Sequence, residues 1–310
     1  MAWTRLAGIA LGAAPNATED AGSFRPRGAG LCLANEAAPA QPHVDSVQYN
    51  GHKLAPHWRI AINGPFARAL DPMLPVVLRQ VSRTYHLDDV EVPALCDVTF
   101  DVRPQRFTVI SGPSGSGKTT LLNLVGCIDR PDGGEILVAG EPVQQLDDDA
   151  LSDLRARRIG FVFQSFNLLP VLTAAENVEY PLQLLGHGAA RRRERVRELL
   201  DAVGLPAHGG HRPGQLSGGQ RQRVAIARAL AAAPLLVLAD EPTANLDSAT
   251  GAAIIALMRR LQREQGVSFV FCSHDPQLQA EADDTVHLHD GRITHITRAD
   301  ERAEGWRPAQ

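Results

Sequence analysis

The stretch that most constrains the fold of this chain is "GPSGSGKT" at residues 112–119, which directly follows the apolar run "RFTVI". It satisfies the pattern G-x-x-x-x-G-K-[ST], in which a glycine-rich loop connects a buried strand to a helix. Glycines allow backbone N–H groups to turn inward around phosphate oxygens, and the following helix adds the positive end of its dipole. Lys118 can then reach the outer phosphates, and the Thr119 hydroxyl suits Mg²⁺. The pattern predicts a phosphate-binding loop.

The lysine of this loop is unusual in the chain, because Lys53 and Lys118 are the only lysines among 31 basic residues. A lysine ammonium is a compact charge on a flexible stem, whereas an arginine guanidinium is a wide planar fork. We therefore interpret Lys118 as a position where the loop has room for one slim ammonium beside the phosphates.

Apolar segments of two kinds alternate from residue 76 onward. Four runs are continuously apolar, which is typical of parallel strands covered on both faces. They are "RFTVI" (106–110), "IGFVF" (159–163), "LLVLA" (235–239) and "SFVFC" (268–272). Two other segments repeat apolar residues at helical spacing. They contain Ile254, Leu257, Met258 and Leu261, and Val196, Leu199, Leu200 and Val203. Strands separated by helices predict an α/β domain.

The bulk composition excludes several classes of protein. A formal net charge of −4 disfavours a dedicated nucleic-acid binder, so no nucleic acid is expected as a partner. Cys32, Cys96, Cys127 and Cys272 are far apart and form no CxxC pair, so neither a zinc site nor a disulfide framework is expected. No apolar run approaches the roughly 20 residues that a membrane-spanning helix needs. A membrane role would therefore require a partner.

Three later segments carry further chemistry. In "LSGGQRQRVAIARAL" (216–230), Ser217 is a candidate helix N-cap beside two glycines, which predicts a second anion site. The buried strand of "LLVLADEPTANLD" (235–247) ends in Asp240 and Glu241. A carboxylate at the end of a strand beside a phosphate loop suits Mg²⁺, and the adjacent glutamate suits a water-activating base. The run "SFVFCSHD" brings His274 to the end of another strand.

Together these segments resemble the ATP-binding cassette (ABC) family over roughly residues 76–295. The motifs stand in the family's order: the phosphate loop, "FVFQ" with Gln164, "LSGGQ", "LVLADEP", "NLD" ending at Asp247, and His274. The resemblance implies an α/β P-loop NTPase of the ABC ATPase type, with a RecA-like core, an inserted α-helical subdomain and a small antiparallel β part. The runs "GCIDRPDGGEI", "RRIGFVFQSFNLLPVLTAAENVEYPL" and "ADEPTANLDSATG" are similar to the ATPases of lipoprotein release, macrolide export and related peptide export.

The resemblance also implies roles for individual residues. Glu241 would polarise the attacking water, with His274 at the γ-phosphate and Gln164 as the third catalytic residue. Mg²⁺ would be held by Thr119, Gln164 and Asp240. Tyr85 would stack on adenine, while Asp247 would help to close a dimer in which Ser217 and Gly219 contact the other subunit's γ-phosphate. The full set implied to bind ATP is Tyr85, Gly112, Pro113, Ser114, Gly115, Ser116, Gly117, Lys118, Thr119, Thr120, Ser217, Gly218, Gly219, Gln220 and Asp247.

The same resemblance divides the chain. Residues 1–72 show no sustained periodicity and predict a poorly ordered extension. Its run "LAGIALGAA" imitates the core of a secretory signal, and Met73, where patterned sequence begins, is an alternative start. We expect the ATP-binding domain over 73–298, with a helical subdomain at about 165–216, and a tail over 299–310.

The partners implied are an integral membrane permease and a second copy of this chain, on the inner face of the bacterial cytoplasmic membrane. The cargo would be lipoprotein, peptide or drug-like. The alternative is a non-transport ABC ATPase with a membrane partner, such as a cell-division type. A binding module that does not hydrolyse ATP is disfavoured, because Glu241 and His274 are both present.

Two local features qualify these expectations. Where the family usually has Gly-Glu before the loop strand, this chain has Gln105-Arg106, which predicts strain in that turn without affecting chemistry. The basic run "RRRER" (191–195) is interpreted as a solvated helix face rather than a phosphate or lipid site.

Overall fold

The computed structural model describes residues 74–87 and 90–300, together with four residues of two short strands near the N-terminus. Those strands, at 48–49 and 52–53, pair with each other in antiparallel fashion within a separate unit. The rest of the predicted extension over 1–72 lies outside the described residues, and so does the tail beyond residue 300. No helix within the described ranges has the length and hydropathy needed to cross a bilayer.

Five strands precede the first α-helix, and strands and helices are mixed through the rest of the described chain. In chain order the strands are β1 (Gln48–Tyr49), β2 (His52–Lys53), β3 (Val76–Leu87), β4 (Val90–Val102), β5 (Phe107–Ser111), β6 (Gly133–Val138), β7 (Glu141–Pro142), β8 (Ile159–Phe163), β9 (Leu236–Asp240), β10 (Ser268–Cys272), β11 (Asp284–His289) and β12 (Arg292–Arg298). The helices are α1 (Lys118–Val125), α2 (Asp148–Arg158), α3 (Ala174–Leu184), α4 (Ala189–Ala202), α5 (Gly218–Leu230), α6 (Ser248–Gln265) and α7 (Pro276–Ala280).

The central sheet has six strands in the order β12-β11-β5-β10-β9-β8. Strands β8, β9, β10, β5 and β11 run parallel, and β12 returns antiparallel to β11. The four continuous apolar runs are all strands of the parallel part, as predicted, with shifts of one residue at β5 and β9. The carboxyl ends of β5, β9 and β10 therefore open at the same edge of the sheet, where the candidate site residues follow.

Both faces of β5, β8, β9 and β10 are covered, which explains why these four strands are almost continuously apolar. Successive residues of one strand enter two different cores: Phe269 and Phe271 pack into one, while Val270 and Cys272 pack into the other. The first core includes the buried faces of α4, α5 and α6, and the second includes α1 and the antiparallel sheet. The two cores place α1 and the phosphate loop between the two sheets.

A second sheet of four strands, in the order β4-β3-β6-β7, is antiparallel throughout. Its long β3–β4 hairpin changes register three times between Leu78 and Thr84. These irregularities interrupt the period-2 pattern by which strands are recognised in a sequence. The small antiparallel part implied by the family resemblance is thus confirmed.

The segment between β8 and α5 contains α3 and α4. Helix α3 begins at a capping box, in which the Thr173 side chain and Glu176 satisfy each other's backbone N–H groups. Arg192 of α4 pairs with Glu179 of α3 at 2.7 Å, and Arg195 donates to the Leu230 carbonyl at the end of α5. The basic run is therefore only partly a solvated face: two of its arginines join α4 to neighbouring helices, because they flank the buried stripe of that helix.

The turn before β5 confirms the expected strain. Gln105 has φ +52°, in the left-handed region that favours glycine. Its backbone is held by two hydrogen bonds, from its N–H to Ser268 Oγ (2.9 Å) and from Gln262 Nε2 to its carbonyl (2.6 Å). The packing of the turn keeps a non-glycine residue in this conformation. At the other end of the domain, Ala299 donates to the Asp283 carbonyl, and Asp300 pairs with Arg103.

Candidate active site

The phosphate loop fills residues 112–117 between β5 and α1. Gly115 and Gly117 have φ of +77° and +98°. A Cβ on Gly112 would lie 2.1 Å from the Leu288 carbonyl, and one on Gly117 would lie 2.4 Å from the Ala94 carbonyl. The Gly291 N–H donates to the Ser116 carbonyl at 3.1 Å, and a Cβ on Gly291 would lie 2.7 Å from the Ala94 carbonyl. The loop is thus enclosed by backbone from β4 and from the β11–β12 hairpin.

Lys118 is the first residue of α1, and its ammonium turns back over the loop. Its Nζ lies 2.8 Å from both the Gly112 and the Pro113 carbonyls. Thr119 and Thr120 follow in the first helical turn, whose N–H groups have no partner within a helix. Ser114 lies at the exposed crest of the loop. This arrangement presents one ammonium, a hydroxyl and a helix N-terminus at a single point.

The loop fits a bound polyphosphate. Nothing lies within 4 Å of a Cβ built on Gly115, so there is open space beside the crest of the loop. The Ser116 hydroxyl is buried and has no hydrogen-bond partner among residues 74–300. First-turn helix N–H groups and a lysine are the donors that phosphate oxygens require. The residues present therefore match a nucleotide phosphate chain.

Two carboxylates lie at the carboxyl end of β9. Burial raises the pKa of the Asp240 carboxyl, the charge of Glu241 raises it further, and Lys118 opposes both effects. Glu241 has φ +43°, and its N–H donates to the Cys272 carbonyl at 2.9 Å. A bound cation would offset the cost of keeping two adjacent carboxylates charged. The Asp240 carboxylate at the end of β9 therefore suits Mg²⁺, as the sequence pattern predicts.

Glu241 is contacted by two side chains from the segment after β10. Ser273 Oγ donates to Glu241 Oε2 at 2.9 Å, and His274 Nδ1 lies 2.7 Å from Glu241 Oε1. Because an ionised carboxylate only accepts, Nδ1 carries the proton, and Nε2 remains available for another partner. Ser273 was missed by the reasoning from sequence, although it stands within the quoted run "CSHD".

Gln164 follows β8 and begins a segment tied to two other motifs. Its carbonyl accepts from Asn245 Nδ2 at 3.0 Å, within the "NLD" stretch. Phe166 and Asn167 both have left-handed φ, and their carbonyls accept from Arg228 of α5. Asn245 was not singled out from the sequence as a contact of Gln164. These bonds connect the Gln164 segment to the helix that begins at the signature motif.

The "LSGGQ" motif forms the start of α5. Ser217 is its N-cap, as predicted, and exchanges hydrogen bonds with Gln220 in a capping box. A Cβ on Gly219 would lie 2.6 Å from the methyl of Thr250, and Thr250 N–H donates to Asp247, the N-cap of α6. Hydrogen bonds from the Thr250 side chain and then from its backbone N–H lower the pKa of the Asp247 carboxyl. A Cβ on Gly218 would likewise lie 3.3 Å from the Leu246 side chain. The signature motif and the "NLD" stretch therefore meet at the adjacent N-termini of α5 and α6.

The structure does not unite these two groups of residues within one chain. In the described part of the chain, no hydrogen bond connects Ser217 or Gly219 to the phosphate loop, and Ser217 is exposed. The phosphate loop, Asp240, Glu241 and His274 are brought together, whereas the signature motif contacts the start of α6 instead.

Tyr85 lies on β3 beside the first turn of α1. Its hydroxyl donates to Asp129 Oδ2 at 3.0 Å, and the Thr120 side chain lies next to it. The Arg83 guanidinium is 5.0 Å from the centre of the Tyr85 ring. Burial raises the pKa of the Tyr85 hydroxyl, so it stays a donor at neutral pH. Asp129 is a further residue that the reasoning from sequence did not assign.

Comparison with known proteins agrees with this geometry. A family model described as ABC transporter matches residues 95–244. The chain is 51% identical over 221 residues to an uncharacterized ABC transporter ATP-binding protein of Thermotoga maritima, covering 71% of this chain and 94% of that protein. It is 50% identical over 219 residues to the lipoprotein-releasing system ATP-binding protein LolD of Anaeromyxobacter dehalogenans, covering 70% and 92%.

A third relative is longer. The chain is 46% identical over 220 residues to the macrolide export ATP-binding/permease protein MacB of Syntrophobacter fumaroxidans, covering 70% of this chain and 31% of that protein. Among solved structures, the dimeric ATP-binding cassette MJ0796 in a post-hydrolysis state bound to ADP and Pi has a TM-score of 0.67 and 43% identity, covering 72% of this chain and 98% of that one. The similarity to the lipoprotein-release and macrolide-export group is confirmed.

The family match includes the phosphate loop, the signature motif, Asp240 and Glu241, and the Thermotoga relative is matched over 94% of its length at 51% identity. This chain therefore belongs to the ABC transporter family and is one of its ATP-binding, ATP-hydrolysing subunits.

Proposed function

We propose that this chain powers a bacterial exporter by hydrolysing ATP as a homodimer beneath a separate membrane permease, with lipoprotein, peptide or drug-like cargo. The observation that carries the hydrolytic part is the contact of Glu241 with both Ser273 and His274 at the ends of parallel strands. The cargo class rests on similarity to proteins named for lipoprotein release and macrolide export.

In this proposal Glu241 is the general base. Its two oxygens are oriented by Ser273 and His274, so one lone-pair direction of each remains for the attacking water. His274 contacts Glu241 through Nδ1, so Nε2 is the ring nitrogen left to meet a γ-phosphate oxygen. Lys118 binds the outer phosphates. Mg²⁺, held by Thr119, Gln164 and Asp240, would neutralise charge on the phosphate oxygens.

The dimer is proposed because one chain does not supply all of the implied phosphate contacts. Ser217 and Gly219 lie at an exposed helix N-terminus, which is a favourable position for phosphate oxygens. A second copy would bring this helix end to the phosphate loop of the first. The dimeric form of MJ0796 supports this arrangement.

The permease is proposed to dock on the segment that follows Gln164. Four exposed apolar side chains lie there: Leu169, Val171, Tyr180 and Leu184. Val171 is 72% exposed and Leu184 is 66% exposed, which is unusual for side chains of this size. The hydrogen bonds of the Gln164 segment to Asn245 and Arg228 would carry movement of this surface to the nucleotide site. The chain would then lie on the cytoplasmic face of the membrane.

Membrane association tests the transporter proposal. We expect the tagged chain, produced in its own bacterium, to pellet with membranes and to co-purify in detergent with a multi-spanning membrane protein. Leu184→Asp should abolish the association while ATP hydrolysis by the isolated chain continues. Val90→Asp, which alters a side chain that is 61% exposed on β4, serves as the matched control and should keep the partner. A partner without a transport pathway would favour the division-type alternative, and a chain that never associates with membranes would contradict both.

A further inference from the structure

The loop after α1 belongs to the run "GCIDRPDGGEI", which the proposed chemistry does not use. Its two aspartates bind the end of β3. Asp129 accepts hydrogen bonds from Nε and Nη2 of Arg83, at 3.1 and 3.0 Å. Asp132 accepts a hydrogen bond from Arg83 Nη1 and another, of 2.6 Å, from the backbone N–H of Thr84. Tyr85, the implied adenine-stacking residue, directly follows these anchored positions.

Asp129 also reaches Tyr85 itself. Its Oδ2 accepts the Tyr85 hydroxyl at 3.0 Å, and its Oδ1 accepts the Arg130 backbone N–H at 2.8 Å. Each carboxylate oxygen therefore receives two donors, one of which is always an Arg83 N–H. The Asp129 side chain is only 26% exposed, so these bonds are shielded from solvent. Bidentate pairs between arginine and carboxylate are geometrically specific.

These contacts fix the Tyr85 ring at two points. Asp129 holds its hydroxyl, and the same carboxylate holds the Arg83 guanidinium 5.0 Å from the ring centre. A cation on one face of an aromatic ring stabilises the ring in place and leaves the opposite face for another planar group. Holding a binding group in its bound orientation reduces the entropy lost when the ligand binds.

We propose that Asp129 is a positioning residue for the base of the nucleotide: it presets the Tyr85 ring, through the hydroxyl and through Arg83, for stacking on adenine. The inference rests on the proposed role of Tyr85. Asp129 should affect binding of the base but not binding of the phosphates, because the phosphate loop and Lys118 are held by other contacts.

Asp129→Asn tests the proposal with little change of shape. Either orientation of the amide places its NH₂ group against an Arg83 N–H, so the carboxylate network cannot be rebuilt. We expect the affinity for ADP, measured by calorimetry, to fall by about five- to tenfold, since a charge-assisted hydrogen bond is lost. The affinity for pyrophosphate, which has no base, should change by less than about twofold.

Steady-state kinetics give a second readout. The KM for ATP should rise by about the same factor as the ADP dissociation constant, and kcat should stay within about twofold, because uniform binding is lost and the chemistry is retained. The matched control is Asp132→Asn, which breaks the neighbouring anchor but touches neither the ring nor the hydroxyl of Tyr85. Its ADP affinity should fall by less than about twofold. Equal losses in the two variants would refute a specific role for Asp129.

Tyr85→Ala separates the inference from its premise. If Tyr85 stacks on adenine, this variant should weaken ADP binding, and adding Asp129→Asn to it should cause no further loss. Unchanged ADP binding in Tyr85→Ala would overturn the role of Tyr85. If ADP affinity falls in Tyr85→Ala but not in Asp129→Asn, the stacking role of Tyr85 is retained and only the positioning role of Asp129 is overturned. A loss of pyrophosphate binding equal to that of ADP would show a general structural defect and would also overturn it.

Discussion

His274 Nδ1 lies 2.7 Å from Glu241 Oε1, although the His274 side chain is 80% exposed and that of Glu241 is 21% exposed. The contact joins the ends of two adjacent parallel strands, β9 and β10. It orients a half-buried carboxylate with a side chain that remains free to move toward solvent or a ligand.

Glu241→Gln should lower turnover by roughly 10²–10⁴-fold, because the amide cannot accept a proton from the attacking water. ATP binding, measured by calorimetry on the same preparation, should be retained. Glu264→Gln, which alters an exposed carboxylate on α6, is the control and should keep wild-type turnover. Wild-type turnover in Glu241→Gln would exclude Glu241 as the base.

Lys118→Arg keeps the charge but should sharply reduce nucleotide binding or turnover. The ammonium lies 2.8 Å from two loop carbonyls, a space too narrow for a planar guanidinium without displacing the loop. Nucleotide affinity and turnover are to be compared with those of Lys118→Ala, which removes the charge altogether. An arginine variant with near-normal activity would show that steric fit does not explain the lysine.

The sequence predicted the parallel strands because burial on both faces leaves a local signature, and each of the four apolar runs was found in the sheet. The phosphate loop was also predictable, since its glycines are adjacent in the chain. The bond between Tyr85 and Asp129 spans 44 positions and leaves no such local pattern. The left-handed backbone of Glu241 is likewise imposed by β10, through the Cys272 carbonyl, and cannot be read from the residue itself.

Mixing two inactive variants should restore activity if the site is shared between two copies. Lys118→Ala and Ser217→Ala each damage both sites of a homodimer, whereas a mixed dimer carries both lesions in one site and leaves the other complete. Phosphate-release assays should therefore show turnover after mixing, and none in either preparation alone. Mixed dimers that form but stay inactive would contradict independent shared sites.

Asp240→Asn should abolish Mg²⁺-dependent turnover and yet stabilise the nucleotide-free protein. The pKa of Asp240 is raised by burial and by Glu241, so the folded state resists its ionisation. Below about pH 4 the carboxyl is protonated in both folded and unfolded chains, and the wild type loses stability as pH rises through the folded-state pKa.

Urea unfolding at pH 4 and pH 7.5 measures this effect. The stability advantage of Asp240→Asn should be larger at the higher pH. Asp201→Asn, which removes an exposed carboxylate on α4, should show no such difference. A variant that is equally stabilised at both values would exclude ionisation of Asp240 as the cause.

Gln105→Gly should stabilise the domain by about 1 kcal/mol, because a left-handed conformation is strained in every residue with a Cβ. Both backbone hydrogen bonds of Gln105 are retained in this variant. Gln105→Ala is the matched comparison: it removes the long side chain but keeps the Cβ and should give no gain. Equal free energies of unfolding for the glycine and alanine variants would refute the strain.

The enclosure of the phosphate loop also bears on how the protein is made. Residues 112–117 leave the ribosome about 170 positions before Leu288 and Gly291, whose backbone forms part of the enclosure of the loop. Until those residues arrive, β5 lacks its neighbour β11, and the Ser116 carbonyl lacks the Gly291 N–H. A growing chain therefore carries the complete phosphate-loop motif before the residues that enclose it have been synthesised. The loop acquires its enclosed form only after residue 291 has been added.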